Sequence, residues 1–71
     1  MKTFTFFWLT DKREVLEGND YVDALNKAGY SQGAIRALDF WKYGDNDDYN
    51  WNSKTNEWIM TPEAIKKLFG R

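Results

Sequence analysis

The oxygen-bearing side chains of Gly44-Asp45-Asn46-Asp47-Asp48 are the first place to look for chemistry, because this short run carries three carboxylates. A calcium loop of the helix–loop–helix type needs oxygen ligands at its first, third and fifth positions. It also needs a glycine at the sixth and a glutamate at the twelfth. Counting from Asn46 places Asn46, Asp48, Asn50 and Glu57 correctly, but Trp51 stands where the glycine should be. The first ligand is also an amide, not a carboxylate, and Tyr49–Asn52 alternates as a strand does. A solvated acidic turn is the expected reading, with no metal. Asp39, between Leu38 and Phe40, is a second candidate, as a general acid or base. One carboxylate is not a constellation, and no second acid lies close in sequence. Asp39 is therefore expected as a surface strand residue, or one paired with Arg36 or Lys42. Gly29-Tyr30-Ser31-Gln32-Gly33 has the glycines of a phosphate loop but follows a helix and lacks the Gly-Lys-Ser/Thr ending. It reads as a connection between helices. No catalytic set or cofactor site emerges, and the expectation is a protein that is not an enzyme.

The aromatic surplus carries the functional suggestion. Four Trp, four Tyr and five Phe occupy a chain of 71 residues. Tyr49, Trp51 and Trp58 fall on one face of an expected hairpin, where they form a candidate partner-binding surface. Aromatics with arginine are the usual anchors of protein contacts. The same rings could stack single-stranded nucleic acid, helped by Lys54, Lys66, Lys67 and Arg71. Nucleic-acid binding needs a basic groove, however, and the neighbouring loop is acidic. A protein partner or self-association therefore outranks nucleic acid. The plainest alternative is that the aromatics are the core.

Bulk properties narrow the classes further. Ten basic and eleven acidic residues leave a net charge of −1, which gives no pull toward nucleic acid or an anionic membrane. Cysteine and histidine are both absent, which removes disulfides and thiolate or imidazole zinc sites. So short a chain is expected to form one domain, 1–71, stabilised by large side chains or by association. The apolar start, Thr3 to Leu9, is too short to cross a bilayer and runs into charged residues without a cleavage site. A cytoplasmic protein with no membrane association is expected.

The elements that must position these residues follow from periodicity. Phe4, Phe6 and Trp8 alternate with Thr3, Thr5, Phe7 and Leu9, and Arg13 to Glu17 alternates again, which predicts a hairpin. Asn19 or Asp20 is placed to cap a helix carrying Tyr21, Val22, Ala24, Leu25 and Ala28, ended by Gly29. A helical turn over 31–36 and a strand over 37–43 follow, although Ile35, Leu38 and Trp41 also have helical spacing. Tyr49–Asn52 and Glu57–Met60 predict a second hairpin with Asn52 opposite Glu57 and Trp51 opposite Trp58. Thr61-Pro62-Glu63 opens a last helix with the apolar stripe Ala64, Ile65, Leu68 and Phe69.

The resulting order, ββαβββα, predicts an α+β fold with an antiparallel sheet and helices packed on one face. In order of elements, and in no motif, it resembles β-grasp domains. The face of Tyr49, Trp51, Trp58 and Met60 must be covered by the last helix, through Ile65, Leu68 and Phe69, or by a partner. The sequence favours the helix.

Overall fold

The alternation of large apolar residues along the first strand organises the chain. In the computed structural model, which describes residues 1–70, β1 (Lys2–Trp8) lies between β2 (Arg13–Gly18) and β3 (Leu38–Tyr43). Both pairings are antiparallel. The remaining elements are α1 (Tyr21–Lys27), α2 (Gln32–Ile35), β4 (Tyr49–Asn52), β5 (Glu57–Met60) and α3 (Pro62–Phe69). The fold is thus α+β in the expected order, with α2 as the expected helical turn. The strands divide between two sheets, β2-β1-β3 and β4-β5.

The two faces of β1 meet different covers. Phe4, Phe6 and Trp8 pack with Ala24 and Leu25 of α1, joined by Leu16, Tyr30, Ile35 and Trp41. On the opposite face Phe7 stacks on Phe40, its neighbour across the β1–β3 ladder, with centroids 4.7 Å apart. The β4–β5 hairpin closes over that pair. Five consecutive residues, Phe4 to Trp8, are consequently buried.

Local chemistry sets the ends of the elements. In the β1–β2 turn Asp11 takes φ 64°, and the Trp8 N–H donates to the Lys12 carbonyl at 2.9 Å. This is the three-residue hairpin loop with a left-handed residue before the second strand. Asp20 caps α1, accepting the Asp23 N–H at 2.7 Å, while Asp23 accepts the Asn19 N–H at 2.7 Å and pairs with Lys27 at 3.1 Å. The Asn19 N–H, and then Lys27, hold the Asp23 carboxyl below its ordinary range. Thr61 caps α3 through the Ala64 N–H at 3.1 Å, with Pro62 at the start.

Two positions depend on tertiary fit. At Gly18 a Cβ would lie 2.5 Å from the Ala24 backbone nitrogen, so glycine lets α1 sit directly on the end of β2. Thr5 is the one polar residue in the buried run. Its hydroxyl donates to the Gly44 carbonyl at 2.5 Å and accepts the Asn46 N–H at 2.7 Å, tying the acidic loop to β1.

Two outcomes follow. Gly18→Ala destabilises by about 1–3 kcal/mol, since the clash is with backbone that can yield only by shifting α1. Thr5→Val keeps the shape but orphans both loop partners, which costs about 1–3 kcal/mol in denaturant titration. An unchanged midpoint for Thr5→Val would show that the hydroxyl does not hold the loop.

Candidate functional site

The β4–β5 hairpin brings together the residues that sequence reasoning singled out. Tyr49 pairs with Met60, Trp51 with Trp58 and Asn52 with Glu57, in the expected register. Asn52 accepts the Lys54 N–H at 2.9 Å and Asn56 takes φ 54°, a conformation that asparagine tolerates well. Together they turn the chain back within four residues.

What covers this face differs from the expectation. Tyr49 sets its edge against Phe7 and Phe40, with centroids 5.3 and 4.9 Å away. Trp58 meets Phe7 edge-on at 5.0 Å, and its indole N–H donates to the Trp8 carbonyl at 2.9 Å. Tyr49 and Trp58 therefore belong to internal packing. Trp51 stands at the outer end, edge-on to Trp58 at 5.5 Å and half-buried. It lines an open groove of about 480 Å³ with Asn50, Asn52, Lys54, Met60 and Pro62.

The last helix does not supply the cover assigned to it. Of its apolar stripe only Ala64 is buried, while Ile65, Leu68 and Phe69 are 44%, 64% and 72% exposed. Lys67 reaches Asp48 at 3.6 Å, and the Thr61 N–H donates to the Asp48 carbonyl at 2.8 Å. Lys67 makes this pair at the surface, so among the described residues of α3 only Ala64 packs inward, and Leu68, Ile65 and Phe69 stay exposed. Sequence reasoning gave these residues to the core because helical spacing defines a stripe without saying what it faces.

The remaining candidates are placed as follows. Asp45 pairs with Arg13 at 3.0 Å and Asp48 with Lys67, so two loop carboxylates serve different basic partners. Asp39 lies exposed on β3. Ser31 caps α2 by accepting the Ala34 N–H at 3.3 Å, which makes the glycine-bearing segment a helix connection. Lys54 and Lys66 are exposed at separate elements, and Arg71 falls outside the described residues. No group of three or more acidic, histidine or cysteine residues among the described residues is arranged to hold a metal ion. No described helix is long and apolar enough to cross a membrane.

A polar cluster that sequence reasoning missed lies beside Trp8. The Tyr30 hydroxyl donates to Glu14 Oε1 at 2.5 Å and accepts from Lys12 Nζ at 3.1 Å, while its ring packs on Trp8 at 4.8 Å. Tyr30, and then Glu14, raise the Lys12 ammonium above its ordinary value. A raised lysine stays protonated, which is the opposite of what a nucleophilic or basic lysine needs. The cluster thus fits a clasp between the β1–β2 turn and Tyr30.

The clasp has a pH signature. A raised folded-state pKa means a contribution that is complete below the ordinary lysine value and is lost as pH climbs through the raised one. Tyr30→Phe deletes both hydroxyl bonds, so Lys12 should titrate closer to its ordinary value in an NMR pH series. An unchanged Lys12 titration would show that the hydroxyl is not the cause. Comparison of the chain with protein-family models, curated proteins and solved structures gave no match.

Proposed function

We propose that the chain is a non-catalytic protein-interaction module whose contact surface is the outward stripe of α3. The supporting observation is the exposure of Ile65, Leu68 and Phe69 on a helix that buries only Ala64 of its apolar stripe. Burying a leucine or phenylalanine contributes about 1.5–3 kcal/mol, a stabilisation the monomer leaves uncollected at two of these positions. Their spacing is the anchor pattern by which a helix enters an apolar groove. Exposed Lys66 borders the stripe, which suits a partner groove with an acidic rim. The original candidates Tyr49 and Trp58 contribute indirectly, by fixing the hairpin from which α3 departs, and Trp51 remains at the surface beside Pro62.

Single-stranded nucleic-acid binding has less support. Stacking needs free aromatic faces beside basic residues. Trp58 is engaged with Phe7 and the Trp8 carbonyl, and Lys67 with Asp48.

A photo-crosslinking residue at Phe69 tests the proposal in the cell of origin, with the same residue at exposed Asn26 as control. Discrete adducts from position 69 are expected, and Leu68→Asp should abolish them while changing stability by only about 0.5 kcal/mol. Adducts that are the same from both positions, or that persist in Leu68→Asp, would remove α3 as the surface.

A further inference from the structure

A second surface, independent of α3, lies along the free edge of β2. The three-stranded sheet runs β2-β1-β3, so one side of β2 has no neighbouring strand. Which of its backbone groups face that side follows from the ladder. The Trp8 N–H bonds the Lys12 carbonyl, and β1 residues pair with β2 residues in steps that include Phe6 with Glu14 and Phe4 with Leu16. In an antiparallel ladder hydrogen-bonded pairs alternate. The N–H and C=O of Glu14 and Leu16 therefore turn toward β1. Those of Arg13, Val15 and Glu17 turn outward, to the free edge.

The same parity appears on the other side of β1, where the Gly44 N–H bonds the Thr3 carbonyl and Thr5 is opposite Lys42. Odd-numbered residues of β1 thus bond to β3 and even-numbered ones to β2. The assignment of the β2 edge is consistent across the whole sheet.

We infer that β2 pairs antiparallel with β2 of a second copy of this chain, centred on Val15. This register places the outward groups of Arg13, Val15 and Glu17 opposite those of Glu17, Val15 and Arg13 of the second copy. Successive residues of one parity share a sheet face, so the side chains also match. Arg13 stands opposite Glu17 at both ends, with Val15 against Val15 on the axis. The strand is its own complement: positive, apolar, negative. A two-fold axis requires this of an isologous contact. Val15 is 39% exposed in the single chain.

Arg13 keeps donors for the contact. Its Nη1 serves Asp45 and the Asn46 carbonyl at 3.0 and 2.9 Å, while a guanidinium carries five N–H donors. The other edge lacks the match. The same centred pairing of β3 would set Asp39 against Tyr43 of the second copy. Charged residues normally guard an edge strand against pairing. On β2 the order of the charges admits one partner and register. Shifting the register by two residues sets Glu17 against Val15 and leaves Arg13 unmatched. The product is a six-stranded sheet, β3-β1-β2-β2-β1-β3, across the two copies.

Sedimentation equilibrium of the full chain up to about 1 mM, with amide exchange by NMR, tests the contact. A monomer–dimer equilibrium is expected, in which the amides of Arg13, Val15 and Glu17 slow with concentration. Arg13→Glu alone and Glu17→Arg alone each oppose like charges at both ends and should weaken the dimer roughly tenfold or more. Mixed together, these two variants restore both pairs and should form a heterodimer near wild-type affinity. That rescue separates the contact from the internal Arg13–Asp45 pair, which mixing cannot repair. A strict monomer, a dimer without protection at these three amides, or a mixture no tighter than the single variants would each overturn the inference. None of these outcomes bears on α3, whose crosslinks are read separately.

Discussion

Complete burial of β1 on both faces is the constraint on which the structure depends. A strand that presents phenylalanine on each side has to be covered twice. One cover is α1, which can approach because Gly18 has no side chain and because Ala24 presents a small one. The other is the β4–β5 hairpin, set over Phe7 and Phe40. Phe7 is the shared neighbour of Phe40, Tyr49 and Trp58, so the second cover and the acidic loop leading into it are positioned by that ring. The Thr5 hydroxyl fixes the loop from the same face.

Having two unlike covers explains the distribution of the remaining aromatics. Trp41 meets Phe4 edge-on at 5.3 Å and stacks on Tyr21 at 5.1 Å, extending the α1 side toward solvent. Trp58 closes the far end of the hairpin by bonding the Trp8 carbonyl. Trp8 itself is buried, and its own indole N–H has no partner among the described residues. An unpaired buried donor is costly. The ring area that Trp8 buries against Phe6 and Tyr30 offsets that cost.

With Phe7 and Phe40 occupying the hairpin face, α3 has no core left to enter. It is held instead by the Thr61 cap, by Ala64 and by Asp48. The apolar stripe of α3 is left on the outside for this reason. Both β1 faces are covered by α1 and by the β4–β5 hairpin, which leaves neither free to cover α3. The two proposed contacts differ in chemistry: apolar groove filling at α3, and backbone pairing with charge matching at β2.

Much of the fold was legible in the residues. Alternation predicted β1, β2, β4 and β5, and the register of Trp51 with Trp58 followed from the four-residue turn between them. The Asn19-Asp20 pair and Thr61 marked helix starts, because such side chains satisfy backbone N–H groups locally, as Asp20 and Thr61 do. Even the ambiguous 31–43 stretch resolved as a turn of helix followed by a strand. The candidate surface was legible only in part. Tyr49, Trp51 and Trp58 do share a face, but the sequence assigned its cover to Ile65, Leu68 and Phe69. Register and capping are short-range properties, set by neighbours within a few residues. Which of two apolar surfaces meets which is a long-range competition, and only tertiary packing decided it, giving the hairpin to Phe7 and Phe40 and leaving α3 outward.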